Sequence, residues 1–144
     1  MNTLRQRAIR LLARREHTQA ELANKLAAHG SPDEIDTVLA QLESTQLQSD
    51  ARFAEAYLRG HAQRLGAARL RNTLRNKGVA GELIDALMTS AELPDELERA
   101  RALWVRKFST APSDGKEWAR QARFLQGRGF SVEIIRRLLK DLPE

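Results

Sequence analysis

Apolar residues recur along this chain in three copies of one helical pattern. In each copy a leucine is followed by Gly four residues on, Glu eight on, an apolar residue nine on and Leu thirteen on. The copies are Leu26, Gly30, Glu34, Ile35 and Leu39; Leu74, Gly78, Glu82, Leu83 and Leu87; and Leu125, Gly129, Glu133, Ile134 and Leu138. The offsets between them are 48 and 51 residues, and such self-similarity is typical of a repeat architecture.

Each position of the pattern has a physical reason. The first leucine faces inward near the end of a helix, and the glycine follows where the backbone often needs positive φ. The glutamate falls in the first turn of the next helix, where its charge meets the positive end of the dipole. The last two apolar residues share one face of that helix. The pattern therefore predicts a helix, a glycine turn and a second helix.

The remaining apolar stripes and capping residues predict nine helices. Thr3, Thr18, Ser31, Asp50 and Ser131 are the expected N-caps, and Glu21 and Glu34 complete capping boxes with Thr18 and Ser31. The inward residues expected in the later helices are Leu70, Leu74, Leu83, Leu87, Ala100, Leu103, Trp104 and Phe108, whereas the positions of Trp118 and Phe130 are left open. We predict an all-α fold of three tandem three-helix repeats, at 1–48, 49–92 and 93–144, forming an elongated, curved body.

Composition removes several functional classes. The chain has no cysteine, which excludes disulfides, thiol catalysis and thiolate metal sites. His17, His29 and His61 are scattered without metal-ligand spacing, and no catalytic constellation is present. No apolar run has the length of a membrane span, and the N-terminal arginines argue against a signal peptide. We therefore expect a cytoplasmic protein that is not an enzyme and needs no cofactor.

The net charge of +5 is unevenly distributed. Residues 1–51 carry a net charge of −1, residues 52–79 of +6, residues 80–114 of −3 and residues 115–144 of +3. Two basic blocks separated by an acidic one indicate a surface that faces a polyanion or an acidic protein. The alternative is a generally basic, solvated surface without a partner.

Arginine is the side chain best suited to bidentate contact with phosphate or carboxylate. On the helix predicted at 66–77, Arg71 and Arg75 form a ridge of like charges that pairing within the helix does not explain. The candidate partner-binding or DNA-binding residues are Arg52, Arg59, Arg64, Arg69, Arg71, Arg75, Lys77, Arg120, Arg123 and Arg128.

Two segments resemble the RecX family of bacterial recombinase regulators. The first comprises residues 50–59, with Leu65-Gly66, 69–71, Leu74 and 77–79; it is similar to an Arg-Phe-Ala helix followed by the family's Gly-x3-Ile/Leu-x3-Leu-x2-Lys/Arg-Gly-Ile/Val helix. The second comprises 107–108, 123–125, 127–130 and 134–136, and resembles the family's closing Arg-x3-Phe-Leu-x-Arg-Arg-Gly-Phe motif. Gly127 departs from this motif, because a basic residue is common there.

The resemblance implies tandem three-helix repeats that bind RecA. Proteins of this kind lie in the groove of the RecA filament on single-stranded DNA and suppress its ATPase, strand-exchange and coprotease activities. They are regulators in DNA repair and the SOS response, and we expect a monomer with no membrane contact. The alternative is a stand-alone DNA-binding protein, because helix–turn–helix elements have a similar outline. An enzyme is the third possibility, and no site in the sequence supports it.

Overall fold

The computed structural model of the protein describes residues 3–91, 93–140 and 142. Within these ranges the chain forms nine α-helices and no strand, which confirms the all-α prediction. The helices are α1 (Leu4–Arg14), α2 (Gln19–Leu26), α3 (Pro32–Ser44), α4 (Asp50–His61), α5 (Ala67–Asn76), α6 (Gly81–Ser90), α7 (Glu96–Lys107), α8 (Gly115–Gly127) and α9 (Val132–Lys140). We call α1–α3, α4–α6 and α7–α9 the first, second and third repeats; their boundaries at 1–48, 49–92 and 93–144 stay a prediction.

Side-chain caps fix where the helices of the first repeat begin. Thr3, Thr18 and Ser31 each accept a hydrogen bond from the third residue of the helix, and the side chain of that residue returns to the cap's N–H. At α4 the predicted cap Asp50 is wrong. Ser49 Oγ accepts the N–H of Arg52 at 3.1 Å, and Asp50 is the first helical residue. The Asp50 carboxylate instead accepts hydrogen bonds from the N–H of Gln19 and from Nε2 of Gln48.

Two of the three pattern glycines adopt the left-handed conformation. Gly78 has φ of 96° and Gly129 has φ of 93°, where a side chain would be strained. Gly30 does not share this conformation. A Cβ at Gly30 would lie 2.6 Å from Cδ1 of Leu4, the end of a flexible side chain, so neither the backbone angle nor a rigid neighbour requires glycine there.

The chain divides into two compact units. The first comprises the described residues of Met1–Tyr57 and Leu74–Thr89, and the second those of Leu58–Thr73 and Ser90–Glu144. The first unit contains the core of the first repeat, formed by Ala8, Leu22, Leu26, Ile35, Leu39 and Leu42. The second unit contains the core of the third repeat, formed by Ala100, Trp104, Leu125, Phe130, Ile135, Leu138 and Leu139. Helices of the second repeat contribute to both units.

Burial confirms part of the predicted apolar set. Leu70, Leu74, Ala100 and Trp104 are buried, and Phe130 joins the third-repeat core. In α6 the fully buried residue is Ile84, whereas Leu83 and Leu87 are half-buried. Adjacent helical residues point about 100° apart, so a modest rotation of the helix exchanges which of them is buried. Leu103 and Phe108 are likewise half-buried, and Trp118 is 37% exposed.

Candidate functional site

The start of α2 is held by Gln48, at the end of the first repeat, and by residues of the second repeat, and we call these contacts the first joint. The carbonyl of His17 accepts a hydrogen bond from Gln48 Nε2 at 3.2 Å. The hydroxyl of Thr18 donates to the carbonyl of Lys77 at 2.6 Å. The N–H of Gln19, the first residue of α2, donates to Asp50 Oδ1 at 3.0 Å. Of these three successive residues, Thr18 and Gln19 are therefore bound by the following repeat, and His17 is bound by the residue that ends its own repeat.

The start of α5 is held in the same way by the third repeat, and we call these contacts the second joint. The carbonyl of Leu65 accepts from Arg99 Nη1 at 3.2 Å. The N–H of Gly66 donates to the carbonyl of Arg128 at 2.7 Å. The N–H of Ala67, the first residue of α5, donates to Glu96 Oε1 at 3.1 Å.

The two joints use equivalent positions. Residues 17, 18 and 19 precede residues 65, 66 and 67 by 48, which is the first repeat offset of the sequence pattern. In both joints a carboxylate from the first turn of the next repeat's first helix caps the free N–H at the helix start, where negative charge is favoured. In both, the turn glycine is closely approached: a Cβ on Gly78 would lie 2.4 Å from Ala20 Cβ, and one on Gly129 would lie 2.3 Å from Arg69 Cβ.

Three predicted binding residues contribute to these packed regions. Arg69 Nη1 donates to the carbonyl of Gly127 at 2.6 Å, within the second joint. Lys77 Nζ lies 3.8 Å from Glu21 Oε2, within the first joint. Arg52 Nε pairs with Glu16 Oε2 at 3.0 Å. Each of these three residues thus has a structural contact in addition to any role in binding.

Two predicted residues of the third repeat meet at a pair of aromatic rings. Phe108 and Phe124 pack edge to face with centroids 5.3 Å apart. The Arg120 guanidinium lies 5.0 Å from the Phe108 centroid, and that of Arg128 lies 5.2 Å from the Phe124 centroid. Lys107, which the sequence analysis did not select, lies 5.5 Å from the Phe124 centroid. Cation–π contact orients these three charges around one aromatic pair.

Arg120 is also held by a carboxylate. Its Nε and Nη2 donate to the two oxygens of Glu117 at 3.0 and 2.5 Å. This pairing raises the pKa of Arg120 above its ordinary value. Hydrogen bonds from Arg120 and Gln121 lower the pKa of Glu117. Much of the Arg120 charge is therefore compensated locally.

The other predicted binding residues differ in solvent exposure and in whether their side chains form hydrogen bonds within the protein. Arg59, Arg75 and Arg123 are exposed, and no residue in the described ranges forms a hydrogen bond or ion pair with their side chains. Arg64 is exposed and, from the turn after α4, donates to the carbonyl of Gly60 in that helix at 3.3 Å. Arg71 is half-buried on α5, one helical turn before Arg75. Arg59, Arg75 and Arg123 are accordingly the cations most accessible to a partner.

A basic pocket on the first repeat was not predicted. Its volume is about 380 Å³, and it is lined by Arg7, Arg10, Leu11, Arg14, Lys25, Leu26 and His29. The sequence did not indicate this pocket because residues 1–51 together carry a negative net charge. The carboxylates of that segment, however, do not line the pocket. The spacing of Arg7, Arg10 and Arg14 at i, i+3 and i+7 places them on one face of α1 and is the signal that identifies the pocket.

Two polar side chains, those of Arg99 and His17, are buried and hydrogen-bonded, which the sequence did not indicate. Arg99 is 6% exposed and bonds the carbonyls of Ala62 and Leu65, while desolvation lowers its pKa. His17 is 1% exposed, with Nδ1 2.9 Å from the carbonyl of Arg15 and Nε2 3.2 Å from Lys25 Nζ. These contacts fit a neutral ring that donates through Nδ1 and accepts through Nε2. Burial lowers the pKa of His17, with the Arg15 and Lys25 charges acting in the same direction.

The described residues contain no group of three or more His, Asp or Glu side chains placed to hold a metal ion. No helix there is both long and apolar enough to cross a membrane.

Family models match each repeat in turn. The models for the first, second and third three-helix domains of RecX match residues 5–42, 49–88 and 94–139.

Relatives along nearly the whole chain carry the same family name. The chain is 46% identical over 140 residues to the regulatory protein RecX of Leptothrix cholodnii, covering 96% of this chain and 88% of that protein. It is 44% identical over 136 residues to the regulatory protein RecX of Halorhodospira halophila, covering 92% and 84%.

The fold is also similar to solved structures. The crystal structure of RecX from Lactobacillus salivarius superposes with a TM-score of 0.79 at 23% identity, covering 96% of this chain and 94% of that one. At that identity the likeness concerns the fold alone. Together, the three matched domains and the two relatives show that this chain belongs to the RecX family of regulatory proteins.

Proposed function

We propose that this protein binds RecA and the RecA filament on single-stranded DNA, and inhibits its ATPase, strand-exchange and coprotease activities. Membership of the RecX family carries the proposal, since the matched relatives are named regulatory proteins. The protein acts as a cytoplasmic monomer, without catalysis or a cofactor, in DNA repair and the SOS response.

The exposed cations are candidate contact residues for this function. Arg59, Arg75 and Arg123 present charge to solvent without a described partner. A filament surface that combines acidic protein groups with phosphates offers the bidentate acceptors that arginine prefers. Arg71, Arg120 and Arg128 are further candidate contacts. Arg52, Arg69 and Lys77 are candidates that also make contacts inside the protein.

The experiment is to measure the single-stranded-DNA-dependent ATPase of the cognate RecA with increasing amounts of this protein. We expect suppression at far less than one copy per RecA monomer, because a regulator that caps or disassembles filaments acts on many subunits. An unchanged ATPase over the whole titration would contradict the proposal.

A stand-alone DNA-binding function is the second candidate. The basic pocket on the first repeat favours it, because its lining contains five basic side chains and no carboxylate. If the protein binds single-stranded DNA directly, the logarithm of the binding constant should fall linearly with the logarithm of the salt concentration. The slope should be about −0.7 for each phosphate neutralised. Tight, steeply salt-dependent binding to DNA without RecA, combined with an unchanged RecA ATPase, would place this function first.

A further inference from the structure

The basic pocket lies where α1 and α2 meet in the first repeat. Its residues from α1 are Arg7, Arg10, Leu11 and Arg14, those from α2 are Lys25 and Leu26, and His29 follows α2. Its volume of about 380 Å³ falls in the range of roughly 300–1,000 Å³ that is typical of small-molecule sites. The pocket therefore has room for a small organic ligand.

The helix α1 brings positive charge to this pocket that no residue of the helix neutralises. It contains four arginines and no acidic residue. Arg7 and Arg10 are three positions apart and Arg10 and Arg14 are four apart, so these like charges are neighbours on one face and repel each other. An anion bound in the pocket would offset this repulsion.

Arg7 carries the least compensated of these charges. It is half-buried, and no residue in the described ranges forms a hydrogen bond or ion pair with its side chain. A cation that loses part of its hydration without gaining a partner costs free energy. Arg14 is exposed and likewise has no such partner in the described part of the chain, whereas Arg10 already has an interaction within the protein. The guanidinium groups of Arg7 and Arg14 are therefore available to an anion.

Lys25 is positioned at the pocket by a buried, uncharged ring. Its Nζ lies 3.2 Å from Nε2 of His17, which is 1% exposed. The neutral ring holds the ammonium group in place but leaves its charge uncompensated. Glu21, one turn earlier on α2, does not neutralise it, because the Glu21 carboxylate accepts hydrogen bonds from Arg15. An ammonium group has three donors, so Lys25 retains donors for a ligand.

The absence of carboxylates distinguishes this pocket from two other clefts in the described part of the chain. The cleft beside Phe108 is lined by Glu117, and the cleft beside Gln48 is lined by Glu43 and Asp50. Their cations therefore face carboxylates of the protein, whereas those of the basic pocket do not. The excess of positive charge is a property of this pocket and not of every concave surface of the protein.

The spacing of the cations suits a ligand with adjacent phosphates. Arg7 and Arg14 are seven residues apart, which corresponds to about 10 Å along the helix axis. Guanidinium groups bind phosphate oxygens in a bidentate manner, and a spread of this length matches two or more phosphates better than one. Leu11 adds a half-buried apolar surface beside them, which favours a ligand with a sugar or base over inorganic polyphosphate.

We propose that the basic pocket binds the phosphates of a nucleotide ligand through Arg7, Arg14 and Lys25. Two sources supply such phosphates, a single-stranded DNA chain and a free nucleoside triphosphate, and the charge of the pocket suits both. The proposal goes beyond inhibition of RecA, because it concerns the first repeat alone and requires no other protein.

The test changes Arg7 and Arg14 together to glutamine. Glutamine has nearly the helix propensity of arginine, so the change removes both charges without weakening α1. The matched control changes Arg5 and Arg101 together to glutamine. It alters the net charge equally, at exposed positions that do not line the pocket. Circular dichroism verifies that both variants are folded.

The probes are a fluorescently labelled oligothymidylate and a labelled ATP, each titrated with this protein alone at one fixed salt concentration. We expect the wild type to bind at least one of them. The pocket variant should bind that probe roughly tenfold or more weakly, as for loss of a hydrogen bond between charged groups. The control variant should bind within about twofold of the wild type, because salt screens charges that are distant from the site.

The two probes distinguish the two sources of phosphate. Binding of the oligothymidylate alone assigns the pocket to the phosphodiester chain of single-stranded DNA. Binding of ATP assigns it to a free nucleotide, and unlabelled ATP should then displace any oligothymidylate held in the same pocket. Either result supports the proposal when the pocket variant shows the loss and the control does not.

Two results would overturn the proposal. Either the wild type binds neither probe, or the pocket and control variants lose affinity equally, in which case total charge is responsible. If the double pocket variant does not fold, Arg14→Gln and Arg5→Gln repeat the comparison at exposed positions of α1. The RecA ATPase titration is a separate measurement. A wild type that binds a probe through the pocket but leaves this ATPase unchanged supports the pocket and contradicts only the proposed function.

Discussion

The N–H of Gly66 donates a 2.7 Å hydrogen bond to the carbonyl of Arg128, 62 residues further along the chain. The contact is close enough that a Cβ on Gly66 would lie 2.3 Å from the carbonyl oxygen of Gly129. The opposing atoms belong to the backbone of a turn with φ of 93° at Gly129, so they cannot move as a side-chain end can. Glycine at position 66 is therefore a requirement of the second joint.

Replacing Gly66 by alanine should destabilise the protein by about 1–3 kcal/mol, the usual cost of inserting a group into a packed region. Gly60 provides the matched control, because it lies in α4 and a Cβ there would meet nothing within 4 Å. Gly60→Ala should stabilise the protein by up to about 1 kcal/mol through helix propensity. Urea unfolding of both variants tests this, and equal effects would contradict the requirement for glycine at position 66.

Thr18 should contribute more to the stability of the protein than an ordinary N-cap residue, because its hydroxyl makes two hydrogen bonds. Its hydroxyl accepts the N–H of Glu21 and donates to the carbonyl of Lys77. Thr18→Ala should cost about 2–3 kcal/mol, from a cap of about 1–2 and a further hydrogen bond of about 1. Ser31→Ala removes a cap that has no such second bond, and should cost only about 1 kcal/mol.

Thr18→Ser retains the hydroxyl and is the conservative control for this comparison. Thermal unfolding of the three variants separates the cap from the contact between repeats. If Thr18→Ala and Ser31→Ala lower stability equally, the bond to Lys77 contributes nothing measurable.

The burial of His17 should make the folded protein less stable in mild acid. The pKa of His17 is lowered in the folded protein because the ring is buried, with Arg15 and Lys25 nearby. A proton on Nε2 would also face the Lys25 ammonium group. The unfolded chain therefore binds the proton more readily. The stabilising contribution is complete above the unfolded pKa of about 6.5 and is lost as pH falls below it.

Urea unfolding between pH 7.5 and 5.5 measures this effect. The slope for this single group approaches about 1.4 kcal/mol per pH unit at most. His17→Gln should flatten the dependence, whereas His29→Gln, at an exposed position, should leave it unchanged. An unchanged slope in His17→Gln would assign the acid sensitivity to other groups.

Reversing the charges of Arg71 and Arg75 should weaken RecA inhibition. The double change to glutamate places like charges against an acidic or phosphate surface, and the concentration for half-inhibition should rise roughly tenfold or more. Helicity should stay intact, because neither residue belongs to the fully buried set. Circular dichroism and the ATPase titration provide the two measurements.

The control is the double change of Arg101 and Arg106 to glutamate, which alters the net charge equally at exposed positions of α7. It should retain inhibition. If both double variants lose inhibition to the same extent, total charge and not the α5 surface is responsible.

Local structure and family membership follow from the amino-acid sequence alone. Capping boxes at Thr18 and Ser31 act within four residues, and the left-handed turns at Gly78 and Gly129 need no distant partner. The spacing of apolar residues fixed the helical faces for the same reason, since the period of a helix is a property of the backbone. Helix order and the RecX resemblance could therefore be obtained from the residues alone.

Which side chains meet across the repeats depends on tertiary packing. Gly30 shares the pattern of the other two glycines, yet its φ is not left-handed and its closest neighbour is the movable end of the Leu4 side chain. Arg69 and Arg75 look alike on α5, but only Arg69 reaches a carbonyl of the third repeat. Burial of His17 and the basic pocket around Arg7 also depend on distant segments. Charge and spacing identify candidate side chains, whereas packing between elements far apart in sequence determines which of them are used within the fold and which remain available to a partner.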